Sequence, residues 1–213
     1  MSTGYVNRLS LTDRAEILAL VAEGARVLDL GCGDCGLLLE LVQKKKIRGT
    51  GVDIDGRLLV NGLAYGLNVY QGDLDAGLAD FPDASYDHVI LNQTLQVVKD
   101  PLLVLREMLR IGRYGIVGFP NFAHWRLRSG LFFGGRAPKS PALPFEWYDT
   151  PNIRVLSIAD FFDYCRREKI KVVHERYLIA GRWWRGALPL RLSNPLTHIG
   201  LFVITRTDGG DRR

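Results

Sequence analysis

Apolar positions along the chain fall into two rhythms, short continuous runs and longer stretches with a 3.6-residue period, and the two alternate almost from end to end. Residues 10–23 open with Ser10 and Asp13 in the spacing of a capping box and place Ile17, Leu20 and Val21 on one face, the pattern of an amphipathic helix. ARVLDLG is a short apolar strand running into a glycine-rich turn, after which Leu37, Leu38, Leu41 and Val42 recur at helical spacing. RGTGVDID predicts a second strand ending in acids, with Asp55 capping a helix that closes near Gly66. Strands follow at LNVYQGD and YDHVILN; then Asp100 and Pro101 open a helix whose buried stripe is Leu102, Leu105, Met108 and Leu109 and which Gly112 stops. YGIVGFPN is the fifth strand. Ser157 and Asp160 form a further capping box around Ile158, Phe161, Phe162 and Cys165, and two last strands fall near Ile170 to Leu178 and Gly200 to Arg206.

The continuous apolar run within YDHVILN is expected of a strand covered on both faces, which is the habit of parallel sheets. The alternation therefore predicts an α/β fold: a doubly wound, mostly parallel seven-stranded sheet with helices on both faces, its ligands beyond the carboxyl ends of the strands. Residues 119–156 break the rhythm, carrying Pro120, Pro138, Pro141, Pro144 and Pro151 among Trp125, Phe132, Phe133, Trp147 and Tyr148. So long an irregular segment is expected to be a lid or binding loop, set into a single domain spanning residues 1–213.

Composition narrows the class. With 47% hydrophobic and 24% charged residues the 213-residue chain is neither disordered nor fibrous, and no apolar run approaches the roughly 20 residues of a membrane helix. MSTGYVNRLSLTDR has no signal-peptide apolar core, and three cysteines suit a reducing compartment, so a cytoplasmic location is expected. The net charge of +5, with clusters at Lys44, Lys45, Lys46 and Arg48 and at Arg182, Arg185 and Arg191, is explained as well by a solvated surface as by an anionic partner. Cys32 and Cys35 form a C-x-x-C, yet no second pair completes four ligands, and no metal site is expected. The final TRTDGGDRR reads as a frayed end.

The chemistry concentrates at strand ends. Gly31-Cys32-Gly33-Asp34-Cys35-Gly36 lets backbone approach a ligand and leads into a helix N-terminus whose free N–H groups suit a carboxylate or phosphate. Asp53, ending the next strand, is placed to accept hydrogen bonds from ribose hydroxyls, a spacing shared by nicotinamide and S-adenosylmethionine sites. Gly72, Asp73 and Leu74 offer a carboxylate and an apolar side chain to an adenine. His88 and His174 lie within predicted strands and read as structural, whereas His124, in FAHWR, is a candidate for either packing or substrate contact. Asn92-Gln93-Thr94-Leu95 replaces the N-P-P-Y that base amino-group methylation would need.

VLDLGCGDCG, TGVDID, QGDLD and YDHVILNQTLQ resemble the successive motifs of class I S-adenosylmethionine-dependent methyltransferases. QGDLDAGLADFPDASYDHVILNQTLQVV, FPNFAHWRLR and ALPFEWYDTPNIR further resemble the methionine biosynthesis protein MetW family, over nearly the whole chain. The resemblance implies S-adenosylmethionine or S-adenosylhomocysteine as cofactor, with Asp29, Gly31, Cys32 and Gly33 around its methionine portion, Asp53 at the ribose, and Ile54 among the cofactor-binding residues. It likewise implies Asp73 and Leu74 at the adenine and Asn92 beside the sulfonium, with no catalytic residue identified. Gln93, Asn121, His124, Trp147 and Tyr148 are the candidates for substrate or partner contact. The implied role is in methionine biosynthesis alongside homoserine O-acyltransferase, with no membrane or nucleic-acid partner; the alternative is an active methyltransferase on a small molecule. Two positions depart from the family pattern: Cys35 stands where glycine is usual, and Arg154 where a histidine is.

Overall fold

The computed structural model describes residues 13–137 and 139–207. The Ser10 end of the first capping box and most of the polar C-terminal segment lie outside the described residues. Helix α1 covers 13–20 and is followed by β1 (Arg26–Leu30), α2 (Gly36–Lys45), β2 (Arg48–Asp53), α3 (Gly56–Ala64) and β3 (Asn68–Gln71). A 3-10 turn at Leu74–Ala76 leads to β4 (Tyr86–Asn92), α4 (Pro101–Ile111), β5 (Gly112–Pro120) and α5 (Trp125–Gly134). The chain continues through α6 (Ile158–Arg167), β6 (Ile170–Ile179), β7 (Arg182–Arg185), α7 (Leu190–Leu196) and β8 (Thr197–Arg206).

All strands join one sheet in the order β3-β2-β1-β4-β5-β8-β6-β7, parallel from β3 to β5 and antiparallel beyond it. Successive side chains of the central strands serve opposite faces: Leu28, Leu30, Val89 and Leu91 pack with α4 and α6, while Val27, Ile90 and Ile116 pack with α1, α2 and α3. Strands buried on both sides are thus the physical content of the continuous apolar runs. Local caps work as their residue types require. Asp55 accepts the Arg57 N–H at 3.0 Å, Asp100 the Leu103 N–H at 3.0 Å, and Ser157 and Asp160 form a reciprocal capping box. Among the described residues no helix is long and apolar enough to cross a membrane.

The sheet has eight strands rather than the seven expected. The additional β7 (RWWR) hairpins back on β6 through Ala180 and Gly181, both at positive φ (48° and 80°), the backbone of a two-residue type I′ turn. Alanine at the first of these positions carries no turn signal, so the hairpin is silent in the sequence. The segment expected to be irregular from residue 119 begins after β5 and holds a ten-residue helix, α5. That helix buries only Leu127 and leaves Leu131, Phe132 and Phe133 exposed, so no apolar stripe announces it. Far from the parallel edge, Glu16 of α1 is buried between Arg185 of β7 (2.7 Å) and Arg176 of β6 (3.5 Å), tying the helix to the antiparallel strands and accounting for part of the basic cluster.

Candidate functional site

The turn after β1 is shaped by its glycines. Gly31 has φ 74° and lies against Thr94, whose hydroxyl an added Cβ would overlap; Gly33 has φ 55° and a Cβ there would meet nothing within 4 Å, so the loop is packed on one side and open on the other. The Gly31 and Cys32 N–H groups both donate to the Val52 carbonyl, at 2.8 and 3.0 Å. Asp53 completes the clamp: its carboxylate accepts the Gly33 N–H at 2.8 Å on one oxygen and the Asp55 N–H at 2.9 Å on the other, leaving further lone pairs on each. Ile54 beside it is 65% exposed. Asp73 caps the 3-10 turn by accepting the Asp75 N–H at 2.9 Å, and Leu74 is buried in the core with Val52 and Leu78.

Beyond the carboxyl ends of β1 and β4 lies a cavity of about 400 Å³ that brings together Asp29, Gly31, Cys32, Asn92 and Gln93. Gly33, Asp53, Ile54, Asp73 and Leu74 are outside its lining. Four further polar residues line the wall, Asp13 and Arg14 from α1, Gln96 from the loop after β4, and Asn152. Burial pushes both Asp13 and Asp29 up to about 7; the Gln93 amide, 3.1 Å from Asp13, and the charge of Arg14 near Asp29 offset only part of this. Asp13 Oδ1, Asn92 Oδ1 and Gln96 Oε1 are buried without a hydrogen-bond partner among the described residues. Unmade hydrogen bonds of this kind cost free energy, and all three belong to residues of the cavity wall, with Asn92 Oδ1 itself turned against Gly118 of β5. Gln93 itself holds φ 57°, a conformation that costs a non-glycine residue about 1–2 kcal/mol and is found preferentially at functional sites. The Arg14 guanidinium lies over Gly36 and 3.7 Å from Asp34.

The chain matches the model of the methionine biosynthesis protein MetW family over residues 11–204. It belongs to the MetW family. A bifunctional methionine biosynthesis protein MetXA/MetW of Rhodopirellula baltica is 40% identical over 160 residues, which are 71% of this chain and 26% of that protein. A phosphatidylethanolamine N-methyltransferase of Cereibacter sphaeroides is 34% identical over 100 residues, 44% of this chain and 48% of that one. The chain thus spans between a quarter and a half of the length of these relatives. Among solved structures, a S-adenosylmethionine-dependent methyltransferase of Thermotoga maritima, described as a possible histamine N-methyltransferase, superposes with a TM-score of 0.66 at 20% identity, covering 92% of this chain and 89% of that one. The fold is the Rossmann-like fold of S-adenosylmethionine-dependent methyltransferases.

Several residues singled out by this MetW-family sequence lie away from the cavity. Asn121 is a structural clamp: its amide donates to the carbonyls of Asn194 (2.6 Å) and Thr197 (2.9 Å), and its oxygen accepts from Ala123 and Ile158. His124 caps α5 and stacks on His198. Trp147 and Tyr148 pack edge to face on each other, 75% and 70% exposed, and the inner wall opposite the glycine turn is made instead by Pro141, Ala142, Pro144 and Phe145. Arg154 is bound to the 96–99 loop, its backbone N–H on the Gln96 carbonyl and its guanidinium on that of Lys99. Cys35 occupies a left-handed position at φ 61°, fully buried, with its Sγ 3.6 Å from that of Cys32; burial raises both thiols. Nothing in the sequence singles out Asp13, Arg14 and Gln96 as site residues, although Asp13 fits a capping box and Gln96 ends the YDHVILNQTLQ motif, since their place at the cavity depends on chain segments that meet only in the fold.

Proposed function

We propose that this chain binds S-adenosylmethionine, or its demethylated product, at the turn after β1 and serves methionine biosynthesis in the cytoplasm beside a homoserine O-acyltransferase. The observation that carries the ligand is the cavity wall: the buried carboxyls of Asp13 and Asp29 beside the amide side chains of Asn92, Gln93 and Gln96 are poor neighbours for an anion or an apolar group and good ones for a ligand bearing cations. S-adenosylmethionine brings an ammonium and a sulfonium, the latter carrying the transferable methyl group. In this reading Asp13 and Asp29 face the positive groups, Arg14 takes the ligand carboxylate, and Asn92 stands beside the sulfonium. Asp53 uses its spare lone pairs for the ribose, and Ile54 and Asp73 meet the adenine face and amino group. Leu74 contributes through the core beneath. A second reading, methyl transfer to a small acceptor, draws support from the same two carboxyls, which exchange protons near neutral pH and would serve as bases.

The partner is supported by the relative in which a MetW segment shares a chain with a segment named MetXA. Calorimetry with S-adenosylmethionine tests the first half; purification with the acyltransferase, followed by acyl-transfer and labelled-methyl assays, tests the second. Acyl transfer that requires the complex supports the accessory role, and methyl loss without the partner supports the second reading. The outward aromatic surface supplies a sharper version. Trp147→Ala with Tyr148→Ala is expected to weaken acyltransferase association by about 2 kcal/mol or more, as interface aromatics do, while leaving cofactor affinity unchanged. Wild-type association by the folded double variant would remove these residues from the interface.

Cys35 gives a contrasting expectation. Glycine relieves the left-handed strain at φ 61° but gives up a small buried side chain packed against Gly62, and the two effects are each about 1 kcal/mol. Cys35→Gly should therefore melt within a few degrees of the parent and bind S-adenosylmethionine at least as well, the turn backbone being unchanged. A tenfold loss of affinity in isothermal titration would show the thiol to be part of the site.

A further inference from the structure

Next to the acid-walled cavity lies a second one of about 350 Å³, separated from it by Pro141 and Ala142, which line both. Its polar lining is of the opposite character: His124, His198 and Arg126, with no aspartate or glutamate among its described lining residues. The imidazoles of His124 and His198 stack at 3.9 Å between centroids, and the charge of Arg126 acts on both. His124 is 3% exposed, and its Nδ1 accepts the backbone N–H of Arg126 at 3.3 Å. That bond fixes the tautomer: a neutral His124 carries its proton on Nε2, which has no partner among the described residues. Burial, the neighbouring imidazole and Arg126 hold His124 down to about 4, so this Nε2–H is a neutral donor throughout the neutral range. The rest of the wall is apolar, from Trp125, Leu178, Ile179 and Leu196.

We propose that this second cavity is a binding site for a small carboxylic acid with a short apolar chain. The carboxylate would lie between the Arg126 guanidinium, the His124 Nε2–H and His198, and the chain against Leu178, Ile179 and Leu196. A planar guanidinium and a ring N–H suit the two oxygens of a carboxylate, which accept in one plane. An amine would meet two donors and a cation with no acid to receive it, and an alcohol would leave the guanidinium unpaired. The volume of about 350 Å³ holds an acid of four to six carbons. The site goes beyond the cofactor reading and does not depend on it, because none of the three polar residues lines the first cavity.

Hexanoate is the probe, with hexan-1-ol and hexylamine as matched controls, followed by calorimetry and by NMR of the histidine rings. The expected result is saturable one-to-one binding of hexanoate that moves the His124 and His198 resonances, with neither control saturating. Arg126→Gln, at an exposed residue, should weaken hexanoate about tenfold or more, and Arg126→Lys should recover part of the loss. His124→Asn keeps a good helix cap while removing the ring donor and should weaken binding to a similar degree. The proposal is overturned if hexan-1-ol binds as well as hexanoate, or if hexanoate fails to saturate. It is equally overturned if Arg126→Gln leaves the affinity unchanged while Arg14→Gln abolishes it, since that places the acid in the first cavity.

Discussion

S-adenosylmethionine affinity is expected to fall steeply as pH drops below 7, by up to about tenfold per pH unit for each of the two buried carboxyls. The reason is that burial pushes Asp13 and Asp29 up to about 7, while a cationic ligand needs them ionised. Below that pH the incoming ligand must expel protons, so titrations in two buffers of different ionisation enthalpy should show proton release on binding. The ligand-free protein should show the opposite linkage. An acid whose folded pKa is raised contributes stability that is complete below its unfolded value of 3.8 and is lost as pH rises through about 7. That displacement corresponds to about 4 kcal/mol for a fully buried group. Asp29→Asn is therefore expected to raise the melting temperature of the ligand-free protein at pH 8, to change it little near pH 4, and to weaken cofactor binding at pH 8. Binding that stays constant between pH 6 and 8, in a variant no more stable than its parent, would remove the carboxyl from the cation site.

Asp53→Ala should cost cofactor affinity by about 3 kcal/mol while lowering stability by about 1–2 kcal/mol. Two effects add in the affinity. The ribose loses a charge-assisted acceptor, and the Gly33 and Asp55 N–H groups, now held at 2.8 and 2.9 Å, lose theirs, so the turn must be reordered each time the ligand binds. Only the second effect bears on stability, and the exposed face of the turn allows water to replace part of it. Asp53→Asn separates the two: it keeps one acceptor oxygen but sets an NH₂ against one of the backbone donors. It should fall between the parent and the alanine variant in affinity. Calorimetry paired with thermal melts checks the comparison, and a folded Asp53→Ala protein with parental affinity would place the ribose elsewhere.

The parts of this fold legible in the sequence are those whose physics is local. A cap acts on an N–H two or three residues away, so Asp55, Asp100 and the Ser157–Asp160 pair announce α3, α4 and α6 correctly. The double-sided burial of β1 and β4 is written in consecutive apolar residues, Val27-Leu28 and Val89-Ile90-Leu91, and the Gly31–Gly36 turn is marked because positive φ restricts residue choice. What stayed hidden was decided by contacts between distant segments. α5 buries a single leucine, so its helix has no stripe to show, and the β6–β7 hairpin turns through an alanine at positive φ. Gln93 and Asp13 are 80 residues apart and Asn121 and Thr197 are 76 apart, yet each pair shares a hydrogen bond that sets what those side chains are free to do. The chain alone named the residues around the glycine turn. Only the packed molecule put Asp13, Arg14 and Gln96 beside them, raised the two carboxyls by desolvation, and committed Asn121 to holding the backbone, because burial and partner geometry are properties of the assembled core and not of any one segment.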